Sequence, residues 1–220
     1  MPAADCERLL DGFLAQPVNA VSSLAFVLAG MSVFVRRRGA SGRALVGAFS
    51  VTLIAVGIGS WAFHGPGGTT ADWVHDASIT ALLVLIVSVE LGYVAGWTDR
   101  QVVAGWTGTT TALWLVEWVW PSVGDTLNAP LALFAVLGVL APQLGAGRSG
   151  EAQRPGTGVF VGLALLGVGA ITMLLSRTGG PLCAPDSLVQ GHAIWHMLAA
   201  AGISVYVGAR LAAHPATESR

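Results

Sequence analysis

The sequence contains no lysine, and all eleven of its basic residues are arginine. A seven-helix retinal protein holds its chromophore as a Schiff base on a lysine amine, so that class is excluded. Charge of either sign is scarce, at 10% of 220 residues, where a soluble domain carries about 25%. A larger core cannot account for the deficit, because a chain of this size still exposes a large surface. That surface must face lipid, and with 54% hydrophobic residues the chain reads as an integral membrane protein rather than a soluble enzyme. No basic block of the kind that binds nucleic acid is present, and the net charge is −1, so no nucleic-acid partner is expected. The first 16 residues carry three acids and one arginine. They lack the basic stretch that opens a secretory signal, so the first apolar helix is expected to stay in the mature chain. Abundant glycine and alanine, with arginine in place of lysine, match a GC-rich bacterial genome and point to a bacterial cytoplasmic membrane.

What is present is a series of apolar runs. A transmembrane helix needs about 20 mostly apolar residues, and seven stretches fit: 18–36, 43–64, 72–96, 101–120, 127–145, 157–176 and 188–212. The connections between them are short and rich in Gly, Pro, Asp and Arg. The expected architecture is an all-α bundle of seven transmembrane helices, one domain over 1–220, with no internal repeat. The fourth run carries Thr107 to Thr111, which a helix tolerates because threonine hydroxyls can bond back to its own carbonyls. Arginine sets the orientation through the positive-inside rule. Arg36, Arg37, Arg38, Arg43, Arg100, Arg148, Arg154, Arg210 and Arg220 collect on one side, and Arg8 and Arg177 on the other. This places the N-terminal segment 1–16 outside and the tail 213–220 in the cytoplasm, a split that requires an odd number of spans.

Polar residues inside spans are costly and usually functional. Ser60 and His64 end the second run four residues apart, on one helix face. Asp72, His75 and Asp76 open the third run, and His192 and His196 open the seventh with the same spacing of four. The orientation brings four of the five histidines to one depth near the outer face; the fifth, His214, falls in the tail. Three imidazoles and an open position make the ligand set of a catalytic zinc. A carboxylate can deprotonate zinc-bound water, and a hydroxyl can donate to an oxyanion. His75 reads as an interfacial group beside such a site. Glu90 and Glu117 fall inside the third and fourth runs, and Glu117 could either line a pocket or bond to a neighbouring helix.

Four segments carry a family resemblance: DCE at 5–7, QPVNAVSSLAFVLAG at 16–30, GIGSWAFHG at 57–65 and GHAIWHMLAAAG at 191–202. In this order they resemble the alkaline ceramidase family, within the CREST group of seven-helix membrane hydrolases that includes adiponectin-type receptors. The resemblance implies zinc ligands at His64, His192 and His196, a serine beside the metal at Ser60, and a catalytic aspartate at Asp76, with Asp72 as the alternative. It implies a zinc-dependent amidohydrolase acting on a lipid amide, ceramide-like or N-acyl, with the acyl chain held in the bundle and the site near the outer face. An ester would serve the same machinery. Family members also bind calcium through the N-terminal acids and a glutamate opening the first helix. Asp5 and Glu7 are present, but Gln16 stands where that glutamate would be, and Ca²⁺ needs several hard oxygen ligands, so the resemblance does not carry calcium across. The cysteine of DCE matches a family cysteine bonded to the loop before the last helix, which here contains Cys183. The arginine split puts both cysteines outside, where disulfides persist; two buried thiols are the other reading. The competing function is a seven-helix receptor or transporter with a structural metal and no hydrolase activity. Nothing in the sequence specifies head group, acyl length or oligomeric state.

Overall fold

The structure is a computed structural model that describes residues 5–37, 42–145 and 156–213. Arg38, Arg148, Arg154, Arg220, His214 and the rest of the expected tail lie outside the described residues. The described residues form seven helices: α1 (Pro17–Arg37), α2 (Arg43–His64), α3 (Thr69–Ala95), α4 (Asp99–Val119), α5 (Ser122–Gly145), α6 (Thr157–Leu175) and α7 (Gly191–Ala213). Each overlaps one of the apolar runs. Six are long and apolar enough to cross a membrane; α4 is not among them. Its 21 residues would suffice in length, but Asp99, Arg100 and Gln101 begin it and five hydroxyl- or glycine-bearing positions, 107–111, interrupt it. Thr107 does bond back to Val103 O at 2.7 Å.

The helices stop and start where backbone chemistry dictates. Gly96 ends α3 in a left-handed conformation, φ 68°, which glycine adopts without a Cβ clash. Two residues later Thr98 opens α4 with a reciprocal capping box to Gln101. The chain therefore folds straight back, and α4 runs antiparallel along α3 over its length. Val102 near its start lies against Gly92 near the end of α3. Trp106 and Trp114 donate indole N–H groups to Ala81 O and Ala77 O, and Glu117 near its end meets Thr80.

Packing follows the order α6–α7–α1–α2–α3, with α4 and α5 both on α3. Helices in lipid gain little from burying apolar surface against each other, so close approach through small residues matters more. At the α1–α2 contact a Cβ on Gly57 would stand 2.6 Å from Val27 Cγ2, and one on Gly30 would stand 2.7 Å from the Ser50 carbonyl oxygen. By contrast, among the described residues α5 and α6 are not closely packed on each other.

One polar cluster ties α3 to α7 toward their C-terminal ends. Arg210 grips Glu90 with two hydrogen bonds, 2.8 and 2.6 Å, and the Tyr206 hydroxyl donates to Glu90 Oε1 at 2.6 Å. The guanidinium also lies 5.1 Å from the Tyr93 ring centre. Arg210 is 5% exposed and Glu90 2%. Arg210 is therefore a structural ion-pair partner inside the bundle, and the inner-side arginine bias must rest on the other eight. Breaking a buried pair strands a charge and costs about 3 kcal/mol or more. Glu90→Gln or Arg210→Met should thus lower the unfolding midpoint in mild detergent markedly, while Glu90→Met with Arg210→Met should recover most of the loss. Single variants as stable as the parent would show that the pair does not hold the bundle.

Candidate metal centre

The site is built where the C-terminal end of α2 meets the N-terminal end of α7, and it is closed by the segment preceding α1. His64 is the last residue of α2, and His192 and His196 lie one turn apart at the start of α7. One ligand atom from each of the three falls within 4.8 Å of the others, so this group could hold a metal ion. His64 and His196 are buried; His192 is partly so.

The outer partners of the rings decide which nitrogen is available. The Gln16 side-chain amide donates through Nε2 to Glu7 O (3.1 Å), which leaves its Oε1 to accept from His64 Nδ1 (2.7 Å). The Ser22 hydroxyl gives its only proton to Asn19 O (2.9 Å), so it must accept from His196 Nδ1, also at 2.9 Å. Asp5 Oδ1 lies 2.9 Å from His192 Nδ1, a short approach bent away from the line of an ideal hydrogen bond, and Oδ2 lies 3.8 Å from His64 Nδ1. These partners favour the Nδ1–H tautomer at His64 and His196, which makes Nε2 the lone-pair nitrogen of both rings. His64 Nε2 is buried without a hydrogen-bond partner, a state that costs free energy unless something else uses it. A metal ion would use it, and imidazoles whose second nitrogen is held by a carboxylate, amide or hydroxyl are the usual metal ligands. The three-histidine set fits a divalent ion such as zinc.

The N-terminal segment supplies two of these partners and is itself fastened. Cys6 and Cys183 form a disulfide with their Cα atoms 5.4 Å apart, beside an Asp5–Arg177 bridge and an Arg8 N to Pro185 O hydrogen bond. Burial pushes the Asp5 carboxyl up, but its contact with His192 and the attraction of His192, His64 and Arg177 outweigh this and hold it below its ordinary range. Glu7 and Gln16 have roles other than the calcium site that the resemblance attached to this segment. Both Glu7 carboxylate oxygens accept backbone N–H groups opening α1, from Val18 (2.7 Å) and Asn19 (2.8 Å), where a helix terminus favours negative charge. Gln16 orients His64.

Ser60 stands at the centre: its Oγ is 3.3 Å from His196 Nε2 and 2.9 Å from Ser23 Oγ, which passes its own proton to Asn19 O. Asp76 bonds His75 Nδ1 at 2.9 Å. The His75 ring stacks on Phe63 and lies 6.4 Å from the His64 ring, outside the three-histidine group. Asp72 is in the first turn of α3. Glu117 makes an interhelical bond, with Thr80 sharing its hydroxyl between Glu117 Oε1 (2.6 Å) and Asn128 Oδ1 (3.0 Å). Sequence reasoning missed Ser22, Ser23 and Asn19 as supports, although all three lie in the quoted segment at 16–30; a VNAVSS run carries no metal signature of its own.

Below the histidines, a cavity of about 850 Å³ extends between α3, α5, α6 and α7. Its wall is apolar apart from Ser60, His75, Asn128, His192, His196 and Tyr206. No protein-family model matches the chain, and comparison with curated proteins returns no match.

Two outcomes follow from this geometry. Purified protein should hold about one metal ion per chain, lost in His64→Ala, His192→Ala and His196→Ala. Asp5→Ala and Gln16→Ala should weaken binding by about 10–100-fold, and metal titration monitored by elemental analysis would refute the outer-partner roles if affinity were unchanged. A thiol assay on denatured, unreduced protein should find no reactive thiol, and two after reduction; two at the outset would rule out the disulfide.

Proposed function

We propose that the chain is a seven-span membrane hydrolase that cleaves an acyl-lipid amide at a zinc ion held by His64, His192 and His196. The carrying observation is the cluster itself: ligand atoms of three histidines lie within 4.8 Å of one another, with Gln16, Ser22 and Asp5 each close to one Nδ1, beside a large apolar cavity. The seventh span is supported by the full-length antiparallel packing of α4 on α3, since a helix that follows a spanning helix end to end must cross with it. The orientation, with the histidine end outside, is supported by the remaining arginine bias and by the disulfide, which suits an oxidising compartment.

A zinc ion bound there would polarise a substrate carbonyl and lower the pKa of a water to about 7. Three histidines leave a coordination position open, as catalytic rather than structural zinc sites do. With the Ser23 proton committed to Asn19 O, the Ser60 hydroxyl donates to Ser23 Oγ at rest, and it would turn to the carbonyl oxygen as charge builds there. Asp76 would act through its hydrogen bond with His75, which lines the cavity, as the pair that takes a proton and returns it to the leaving amine. The apolar cavity accepts the acyl chain, and the loose α5–α6 seam lets that chain arrive sideways from the bilayer. The low polarity of the wall favours a lipid over a soluble amide.

With the protein in nanodiscs, N-acyl lipid amides should release fatty acid in a zinc-dependent way. Ser60→Ala and Asp76→Asn should each cost about 100-fold in turnover while keeping the metal. Zinc-loaded protein that releases no fatty acid from any lipid amide or ester would overturn the reading.

A further inference from the structure

The cavity has a measurable depth and a fixed floor. Its deepest residue on α7 is Tyr206, ten positions beyond His196, which at the helical rise is about 15 Å. The other walls agree. On α3 the lining runs from His75 to Ile86, on α5 from Asn128 to Leu140, and on α6 from Met173 back to Phe160, spans of about 16–20 Å. Four helices thus end the cavity at a common level. The floor is not soft: the Tyr206 hydroxyl is bonded to Glu90, Glu90 is gripped by Arg210, and the Tyr206 ring packs edge-on against Phe49. Tyr206 is 4% exposed.

We infer that Tyr206 is the residue that sets the acyl-chain length this protein accepts, at about 12–14 carbons measured from the carbonyl at the histidines. An extended hydrocarbon chain advances about 1.3 Å per carbon, given carbon–carbon bonds of about 1.5 Å at tetrahedral angles, so 15–18 Å holds about 12–14. A lipid tail already sits in hydrocarbon before it enters, so each added methylene gains little, unlike transfer from water. Selection therefore comes from overfilling. Tails that reach the floor are all accepted alike, and longer ones must displace a hydrogen-bonded ring or leave through the α5–α6 seam. The inference rests on the reading that an acyl-lipid amide occupies the cavity.

The test uses full-length protein in nanodiscs and a ladder of N-acyl amides from about 2 to 20 carbons, wide enough to bracket the limits expected at about 1.5 Å per residue. Two readouts are taken: fatty-acid release, and retention of a non-cleavable ladder by native mass spectrometry. Wild-type protein should show a flat profile up to the limit and about a tenfold drop beyond it, the scale of overpacking a filled site. Tyr206→Ala should move the limit to longer chains, whereas Tyr206→Phe, which keeps the ring and loses only the Glu90 bond, should leave it in place. Ala199→Phe fills the wall one turn, about 4.5 Å, below His196 and should move the limit to about four carbons. This variant opposes Tyr206→Ala in direction and leaves the Glu90 cluster intact, so it carries the test alone if Tyr206→Ala does not fold. No drop up to 20 carbons, or a limit that neither Tyr206→Ala nor Ala199→Phe moves, overturns the inference. Shifted retention without any cleavage would sustain the measuring floor and sink the hydrolase; cleavage with a flat, unshifted profile would do the reverse.

Discussion

An imidazole buried among apolar helices needs a partner for its Nδ1–H, and in this protein every such partner lies on or beside the segment that enters α1. Asp5 serves His192, Gln16 serves His64, and Ser22 serves His196. Without them the rings would be free to rotate or to exchange tautomers, and their Nε2 atoms would no longer converge. The segment in turn has little regular structure of its own. It is held by the Cys6–Cys183 bond, by Glu7 capping α1, and by backbone bonds from Ala15 and Gln16 to the end of α2. A covalent link between the first described residues and the loop before α7 thereby helps hold together a three-histidine group contributed by α2 and α7.

The bundle separates rigid parts from yielding ones. The series α6–α7–α1–α2–α3 packs closely, with glycine contacts on α1 and α2 and an ion pair joining α3 to α7. The histidines sit on this firm part. Among the described residues α5 and α6 have little contact with each other, and the cavity lies between them, away from the close glycine contacts of α1 and α2. Polar groups away from the histidines have distinct jobs: Glu90, Arg210 and Tyr206 close the bottom of the cavity, while Thr80, Glu117 and Asn128 tie α3 to α4 and α5.

Helix number, boundaries within a few residues and the candidate ligands were legible in the chain, because lipid imposes long apolar runs and makes each interruption by His, Asp or Ser conspicuous. His64, His192 and His196 stood out for that reason, and the structure brings them together. Asp76 was legible as a carboxylate opening the third run, but its bond to His75 was not, since adjacent helical residues usually point apart. Arg210 was counted only as one of the arginines on one side of the bundle, and its burial was not legible. Its partner Glu90 lies 120 residues away, and no local pattern marks an arginine as buried.

The sequence by itself determined a membrane-embedded all-α protein with a three-histidine group, since hydropathy and charge act on each segment independently of its neighbours. Only the tertiary structure decided which groups approach each ring nitrogen, what Gln16 and Glu7 do, where the cavity lies, and which helices pack closely. Those depend on contacts between residues far apart in the chain, and a hydrogen bond is directional at a scale of tenths of an ångström, which spacing along a helix does not encode.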